Sequence, residues 1–347
     1  MEINLSVIMT KISNQNNQEL VTIIVTVFNT EEFLEKCLSS IVSQTYCNIE
    51  ILIIDDGSTD DNFTMYESFM RQDSRIILIQ QKNRGVSSAR NIGISNAHGK
   101  WISFCDSDDW MELDLIESLV SGAVNFDVDF VVSGFVADSY KNKQLYCTGK
   151  AGFSSALHGG KNTLSQDFIY AIRTDHVLLQ SPWAKLFKKT IVDNLPVFFN
   201  DQIVCYEDFD FILRYMCSIE WYSFINIEKY HYVNQVGKSA ILKRSKDDLV
   251  EEIYVVYKSL INFFGTYGDC KLKKLMRSWL FEAYRIPLVK MSSIKNYNTK
   301  KRILDHLMTN KGYIDITRSS LTHRIMKLLY IFRMYRLIVL IVEYHIL

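Results

Sequence analysis

The first 110 residues alternate between apolar runs rich in β-branched residues and amphipathic runs with helical spacing, and this alternation limits the fold more than any other feature. These runs cover residues 21–29, 30–45, 49–58, 60–71, 75–81, 86–99 and 100–106, with the apolar ones first, third, fifth and last. Continuous apolar runs are typical of strands covered on both faces. Three strand–helix–strand repeats predict an α/β, Rossmann-like fold with an open, mostly parallel sheet and helices on both faces.

The pattern is less regular in the second part of the chain. Residues 126–138 have the composition of one more strand, residues 139–165 predict a variable loop or a hairpin, and residues 240–347 are helical in pattern. The chain is therefore divided into a loose N-terminal leader over 1–20, a main domain over 21–240 with halves at 21–125 and 126–240, and a helical, basic C-terminal extension over 241–347.

Charge is distributed unevenly along the chain. Lys plus Arg and Asp plus Glu number 39 each, yet from Lys271 onwards there are 16 basic against 4 acidic residues, which leaves 23 against 35 before it. A basic end predicts an anionic partner such as a membrane surface or a nucleic acid. We expect no nucleic-acid binding, because the sequence contains no recognised motif for it. Packing of these helices on the main domain, or on a second copy in a homodimer, is the alternative to membrane contact.

Cysteine usage and hydropathy indicate the compartment. The seven cysteines are scattered and form no CxxC pair, as expected for reduced thiols in a cytoplasmic protein. The N-terminus has no basic region followed by a long apolar core, so we predict no signal peptide. No window contains about 18 uncharged apolar residues, so we predict no membrane-spanning helix.

Acidic residues follow two of the predicted strands directly. The stretch "WISFCDSDDW" ends the fourth strand with Asp106, Asp108 and Asp109, and Asp55 and Asp56 end the second. In open parallel sheets, ligands bind at the carboxyl ends of the strands, so these acids are expected to line a ligand crevice. The alternative is that one or more of the three acids after the fourth strand caps the next helix. Three acids exceed what capping needs, which favours the ligand site.

Seven motifs, taken together and in this order, resemble bacterial family 2 glycosyltransferases with the GT-A fold. They are "VTIIVTVFNTEEFLEKCLSSIVSQTY", "IEILIIDDGSTDD", "NRGVSSARNIGI", "GKWISFCDSDDW", "SPWAKLFKK", "YEDFDF" and "YHYVNQVGKSA". The resemblance covers about residues 20–240. One departure is Thr26, where many relatives have proline and some have threonine.

The resemblance implies an inverting transfer of a sugar from a UDP-sugar donor to an acceptor sugar hydroxyl. The acceptor would be a saccharide or lipid-linked saccharide in the synthesis of capsule, exopolysaccharide or O-antigen. Such acceptors favour a peripheral position on the cytoplasmic face of the membrane. The alternative is a catalytically inactive nucleotide-sugar-binding or scaffold partner of a glycosyltransferase complex, against which the presence of Asp106, Asp108 and Asp208 argues.

The resemblance also assigns residues to the diphosphate. Asp106-Ser107-Asp108 matches the DxD motif, so Asp108 is expected to coordinate Mn²⁺ or Mg²⁺ with the donor, while Asp106 holds the ribose or assists the metal. A hard divalent cation suits carboxylate and phosphate oxygens. Arg90 is expected near the donor, ordering the acidic site, and its pairing with an aspartate is the alternative, which does not exclude that role. Lys238 is expected to contact the diphosphate.

The nucleoside pocket is assigned in the same way. Thr26, Val27 and Phe28 are expected to line it, with Phe28 packing rather than stacking on the base. Of the acidic pair, Asp56 is favoured to accept the uracil N3–H. For Asp55, a hydrogen bond to backbone at the strand end is the alternative.

The acceptor side is expected after residue 150. The resemblance implies that Asp208 is the base that takes the proton from the acceptor hydroxyl, with Glu207 as second choice. The alternative is that both acids only complement a helix N-terminus. Trp183 and Lys185 are expected near the donor sugar and the acceptor, and a core position is the alternative for Trp183.

Overall fold

The computed structural model describes residues 18–141 and 144–234, together with seven residues between 255 and 266. The chain divides into two compact units, Met1–Ser239 and Ala240–Leu347. In the second unit the described residues are helical. The predicted leader up to residue 17 and most of the predicted C-terminal extension lie outside the described residues.

The described part of the first unit contains ten strands and eight helices. The strands are β1 Val21–Val27, β2 Ile49–Asp55, β3 Ile76–Gln80, β4 Trp101–Asp106, β5 Trp110–Met111, β6 Phe130–Lys141, β7 Gln144–Ala151, β8 Leu157–Gly160, β9 Lys185–Lys188 and β10 Trp221–Asn234. The helices are α1 Glu31–Val42, α2 Asn62–Gln72, α3 Val86–Asn96, α4 Leu115–Phe126, α5 Lys161–Thr174, α6 Val177–Gln180, α7 Lys189–Asp193 and α8 Glu207–Met216.

All ten strands join one sheet, in the order β3-β2-β1-β4-β9-β6-β10-β5, with β7 paired to β6 and β8 to β10. Strands β3, β2, β1 and β4 are parallel neighbours, and β10 is parallel to β6. Strand β9 runs antiparallel between β4 and β6. The predicted α/β fold with an open, mostly parallel sheet is confirmed. In the segment predicted as a loop or hairpin, β7 folds back on β6 as a hairpin.

The sheet register brings the acidic strand ends to one edge. Val27 at the end of β1 pairs with Asp55, and Thr26 pairs with Asp106 on the other side. Helix α1 packs on this part of the sheet, since Cys37 on its buried apolar face lies 3.8 Å from Cys105 of β4, Sγ to Sγ. The burial of β1, β2 and β4 therefore determines where these strands emerge and where their carboxylates lie.

Helix capping does not explain the acids after β4. The next helix, α4, begins at Leu115 with Asp114 at its N-cap position, well beyond Asp109. Thr30 occupies the N-cap position of α1. The Thr30 hydroxyl makes no capping hydrogen bond and instead lies 2.7 Å from the Ser107 hydroxyl, within the DxD motif.

Candidate active site

The DxD motif forms a tight turn at the end of β4. The Asp109 amide donates to the Asp106 carbonyl oxygen at 3.0 Å, which closes the turn. The Asp106 and Asp108 side chains are partly exposed, whereas Ser107 and Asp109 are buried. The turn thus presents two of its three carboxylates at the open edge of the sheet.

Arg90, in α3, joins this turn to a distant part of the chain. Its guanidinium donates to the Asp106 carboxylate at 3.0 Å and to the Asp208 carboxylate at 2.5 Å, and it lies 3.7 Å from Glu207. The Arg90 side chain is only 3% exposed, while that of Asp208 is 23% exposed. One buried cation therefore holds the acids of β4 and of α8 together, and the predicted pairing of Arg90 with an aspartate is confirmed.

The two acids at the start of α8 have different environments. The pKa of Asp208 is raised to about 6, because burial and the neighbouring Asp106 together outweigh the lowering effects of Arg90, Lys185 and a hydrogen bond with Glu207. Burial and the neighbouring Asp208 raise the pKa of Glu207 well above its usual range. Glu207 thus retains its proton at higher pH than a free carboxyl would. Of the two, Asp208 is more exposed and better suited to accept a proton near neutral pH.

Trp183 and Lys185 lie behind this edge and not at its surface. Trp183 is 3% exposed, and its ring stacks on Tyr230 with centroids 4.7 Å apart and planes inclined by 3°. Lys185 has no exposed surface, and its ammonium donates to the Trp183 carbonyl oxygen at 3.1 Å. The predicted sugar contacts of both side chains are therefore wrong in this structure, and the core alternative for Trp183 is confirmed.

Lys185 still affects the charge at this edge. Burial lowers the pKa of the Lys185 ammonium to about 7, and Asp208 partly opposes that shift. When protonated, Lys185 in turn lowers the pKa of Asp208. Its effect on the site is electrostatic and indirect.

Asp56 holds the loop that precedes α3. Its carboxylate accepts hydrogen bonds from the Gln81 side chain at 2.7 Å and from the backbone amides of Arg84 and Gly85, each at 2.8 Å. Gly85 occupies the N-cap position of α3 with a φ of 90°. A carboxylate offers about four acceptor positions, so these hydrogen bonds leave one unused, although Asp56 is only 3% exposed.

Asp55 closes the turn at the end of β2. Its carboxylate accepts the Ser58 amide at 2.9 Å, as the backbone alternative predicted. Gly57, within this turn, has a φ of 77°, and a Cβ there would lie 2.8 Å from the Asn83 amide nitrogen. Only glycine fits such a close approach with a positive φ.

The exposure of the residues at the end of β1 differs from what the sequence predicted for the nucleoside pocket. The Val27 side chain is 1% exposed and belongs to the core, so it cannot line a pocket; its carbonyl oxygen accepts the Asp56 amide at 2.9 Å. Phe28 is 47% exposed, and the expectation that it packs is wrong. Thr26 is partly exposed. Phe28 is thus an exposed aromatic residue directly after β1. Lys238 lies outside the described residues.

The carboxylates of the DxD turn could supply only some of the ligands that a metal ion needs. Asp106 and Asp108 supply hard oxygen donors from one turn, which is the chemistry that Mg²⁺ and Mn²⁺ prefer. Within residues 18–141 and 144–234, and at the seven described positions beyond, no group of three or more His, Cys, Asp or Glu side chains is placed to hold a metal. A cation here would need further oxygens from a ligand such as a diphosphate.

The sequence is also similar to known proteins. Residues 22–195 match the family model described as glycosyl transferase family 2. The chain belongs to this family. It is therefore a glycosyltransferase, and the matched region contains β1, β2, β4 and the DxD turn.

Relatives of this glycosyltransferase occur in several bacteria. It is 26% identical over 306 residues to the uncharacterized glycosyltransferase EpsJ of Bacillus subtilis, covering 88% of this chain and 86% of EpsJ. It is 34% identical over 177 residues to glycosyltransferase GlyA of Streptococcus pneumoniae, covering 50% of this chain. The chain spans 25% of the length of GlyA.

A crystal structure of S. aureus TarS 1-349 in complex with UDP-GlcNAc has the same fold. The TM-score is 0.68 at 16% identity, over 94% of this chain and 89% of that chain. At that identity, the comparison shows the fold alone. Among the described residues of this glycosyltransferase, every helix is too short or too polar to cross a membrane.

Sequence reasoning missed one residue of the site. Tyr230, in β10, is fully buried, and its hydroxyl contacts both Asp106 and Asp109. The only signal in the sequence is its place in the motif "YHYVNQVGKSA".

Proposed function

We propose that this glycosyltransferase moves a sugar with inversion from a UDP-sugar to a hydroxyl of an acceptor sugar, with a divalent cation bound at the DxD turn. The observation that carries the proposal is the Arg90 bridge, which brings the Asp106 carboxylate and the Asp208 carboxylate to one guanidinium. This bridge supports a donor site and a base at the same edge of the sheet. The UDP-GlcNAc complex of TarS, with the same fold, supports a UDP-sugar donor.

The donor side uses the carboxyl ends of β1, β2 and β4. Asp56 offers a remaining acceptor position for uracil N3–H, and exposed Phe28 offers a face for the base. Asp106 and Asp108 would hold the cation, which supplies positive charge to the departing diphosphate. This arrangement leaves the α8 side of the edge for the acceptor.

Asp208 acts as the base. An inverting transfer needs one carboxylate to take the acceptor proton while the hydroxyl oxygen attacks the anomeric carbon opposite the leaving diphosphate. Arg90 binds Oδ1 of Asp208 and fixes its orientation. Glu207, with its raised pKa, acts as a protonated neighbour and not as a competing base.

The acceptor is proposed to be a saccharide, carried on a lipid, in bacterial surface polysaccharide synthesis at the cytoplasmic face of the membrane. The support is the family resemblance and the excess of 16 basic over 4 acidic residues from Lys271 onwards. A basic surface is attracted to anionic lipid headgroups. Flotation with anionic liposomes, with and without residues 271–347, tests this point, and equal binding by both forms would contradict it.

A thermal-shift panel tests the donor. We expect UDP-Glc, UDP-Gal, UDP-GlcNAc or UDP-GalNAc to raise the melting temperature more with Mn²⁺ than without it, since ligand binding stabilises the folded state by mass action. Preferential stabilisation by a GDP-sugar would contradict the UDP assignment.

Replacing Asp108 should weaken metal binding while the protein still folds. In Asp108→Asn, we expect the extra stabilisation that Mn²⁺ adds to UDP to disappear, because the amide is a weaker ligand for a hard cation. The matched control is Asp193→Asn, which removes an exposed acid that pairs with Lys189 within α7. Retention of the full Mn²⁺ effect in Asp108→Asn would exclude this residue as a metal ligand.

The pH dependence of the reaction should report the Asp208 carboxyl. A base must be deprotonated, and the pKa of Asp208 is raised to about 6. We therefore expect kcat/KM to be nearly constant above pH 7 and to fall about tenfold per pH unit well below pH 6. The measurement is kcat/KM from pH 4.5 to 8.5 at saturating Mn²⁺. A profile without a fall on the acidic side would contradict Asp208 as the base.

A further inference from the structure

The backbone amide of Asp106 lies at the end of β4, beyond the residues that pair with β9. Strand β9 pairs with β4 only at Trp101 and Ile102, and one further bridge joins Phe104 to Trp183. Beyond that bridge, no strand in the described part of the chain pairs with the end of β4 on this side. A buried backbone amide without an acceptor is costly, so another group must provide one.

The Tyr230 hydroxyl provides that acceptor. It accepts the Asp106 amide at 3.2 Å and donates to the Asp109 carboxylate at 2.7 Å. The other oxygen of Asp109 accepts the Val233 amide of β10 at 2.8 Å. Both ends of the DxD turn are thereby attached to β10 by buried groups.

The Tyr230 ring is itself fixed. It has no exposed surface, and the Trp183 ring stacks on it almost in parallel at 4.7 Å. Burial and the Asp109 carboxylate hold the pKa of the Tyr230 hydroxyl well above its usual range, so it remains a donor. Rigid support of this kind is what a ligand-binding turn needs, because outer partners orient the groups that touch the ligand.

We propose that Tyr230, supported by Trp183 and bonded to Asp109, is a positioning residue that sets the DxD turn in the geometry that binds a divalent cation with a nucleoside diphosphate. The inference rests on the proposed function and deepens it. Asp109 belongs to this support and not to the ligands, since it is buried and both its oxygens accept hydrogen bonds from β10.

The test compares two Tyr→Phe variants, each of which removes a buried hydroxyl that makes two hydrogen bonds. Tyr230→Phe keeps the stacked ring but removes both hydrogen bonds. Tyr215→Phe is the matched control. Tyr215 is also fully buried, and its hydroxyl accepts the Lys188 amide at 2.7 Å and donates to the Asp129 carbonyl oxygen at 2.6 Å, at the far end of α8. Both variants should lose similar folding stability.

The readout is the dissociation constant of UDP, measured by calorimetry on the full chain with Mn²⁺ and with a chelator. The Mn²⁺ factor is the dissociation constant of UDP with the chelator divided by that with Mn²⁺. We expect this factor to be smaller in Tyr230→Phe than in the unaltered chain, by about 10-fold or more. Loss of an outer partner of a metal site commonly has an effect of this size. Tyr215→Phe should leave that factor unchanged. A full Mn²⁺ factor in Tyr230→Phe would overturn the proposal, and so would an equal loss in both variants.

Two further outcomes are distinguishable. If the unaltered chain binds no UDP under either condition, the proposed function fails. If Tyr230→Phe does not fold, Asp109→Ala replaces it, since this change removes both acceptors that bind the turn to β10. Asp109→Ala should lower the Mn²⁺ factor in the same direction, and an unchanged factor would overturn the proposal.

Discussion

Asp208→Asn should lower kcat by roughly 10²–10⁴-fold while the dissociation constant of UDP stays nearly the same. The amide keeps the shape of the side chain and can still accept a hydrogen bond from Arg90, but it cannot take the proton of the acceptor. The proposed UDP site lies at the ends of β1, β2 and β4, so we expect the affinity for UDP not to depend on that proton. The measurement is steady-state kinetics with the preferred donor, together with calorimetry for UDP.

Glu207→Gln is the matched comparison at the next position. The pKa of Glu207 is raised well above its usual range, so the neutral amide resembles the form already present. We expect kcat to change by less than about tenfold, since no base is removed. A large loss in Glu207→Gln with near-normal turnover in Asp208→Asn would reverse the two roles.

Arg90→Met should destabilise the fold and abolish transfer together. The substitution leaves Asp106, Asp208 and Glu207 facing one another without the buried cation that joins them. Removing one member of a buried ionic network costs roughly 3–5 kcal/mol of unfolding free energy. Asp106 and Asp208 are partly exposed and can take up protons, which places the expected loss at the lower end, about 3 kcal/mol.

The loss should depend on pH. Without Arg90, the pKa values of Asp208 and Glu207 rise further above their unfolded values, so the folded variant binds more protons than the unfolded chain, and its stability falls as pH rises. Urea unfolding at pH 5 and pH 8 should therefore show the larger loss at pH 8. The control is Arg71→Met, whose exposed pair with Glu67 contributes at most about 1 kcal/mol. Equal losses in the two variants would contradict the bridging role of Arg90.

The sequence predicted the features of the fold that depend on residues close together in the chain. The β-branched runs located the parallel strands, and the acids directly after them located the edge of the sheet where Asp56 and Asp106 lie. These predictions hold because a strand that is buried on both faces has no other place in such a sheet. The division between strand and ligand-binding turn at residue 106 follows from the same pattern.

Contacts between distant segments could not be predicted in this way. Arg90 and Asp208 lie 118 positions apart, and only the folded sheet brings them within 2.5 Å. Trp183 was open to two interpretations because a tryptophan face can stack on a sugar or on another ring, and its burial against Tyr230 decides between them. Asp109 is an acid of the same short stretch as Asp106 and Asp108, yet it is buried and hydrogen-bonded to β10.

The stereochemistry of UDP-sugar cleavage tests the central claim most directly. The preferred α-configured UDP-sugar, incubated with the full chain and Mn²⁺ without acceptor, should release UDP and a sugar by slow attack of water. Proton NMR, recorded before the anomers equilibrate, should show the β-anomer first, with no release in a chelator and almost none by Asp208→Asn. Initial release of the α-anomer, or equal release by Asp208→Asn, would contradict an inverting transfer with Asp208 as its base.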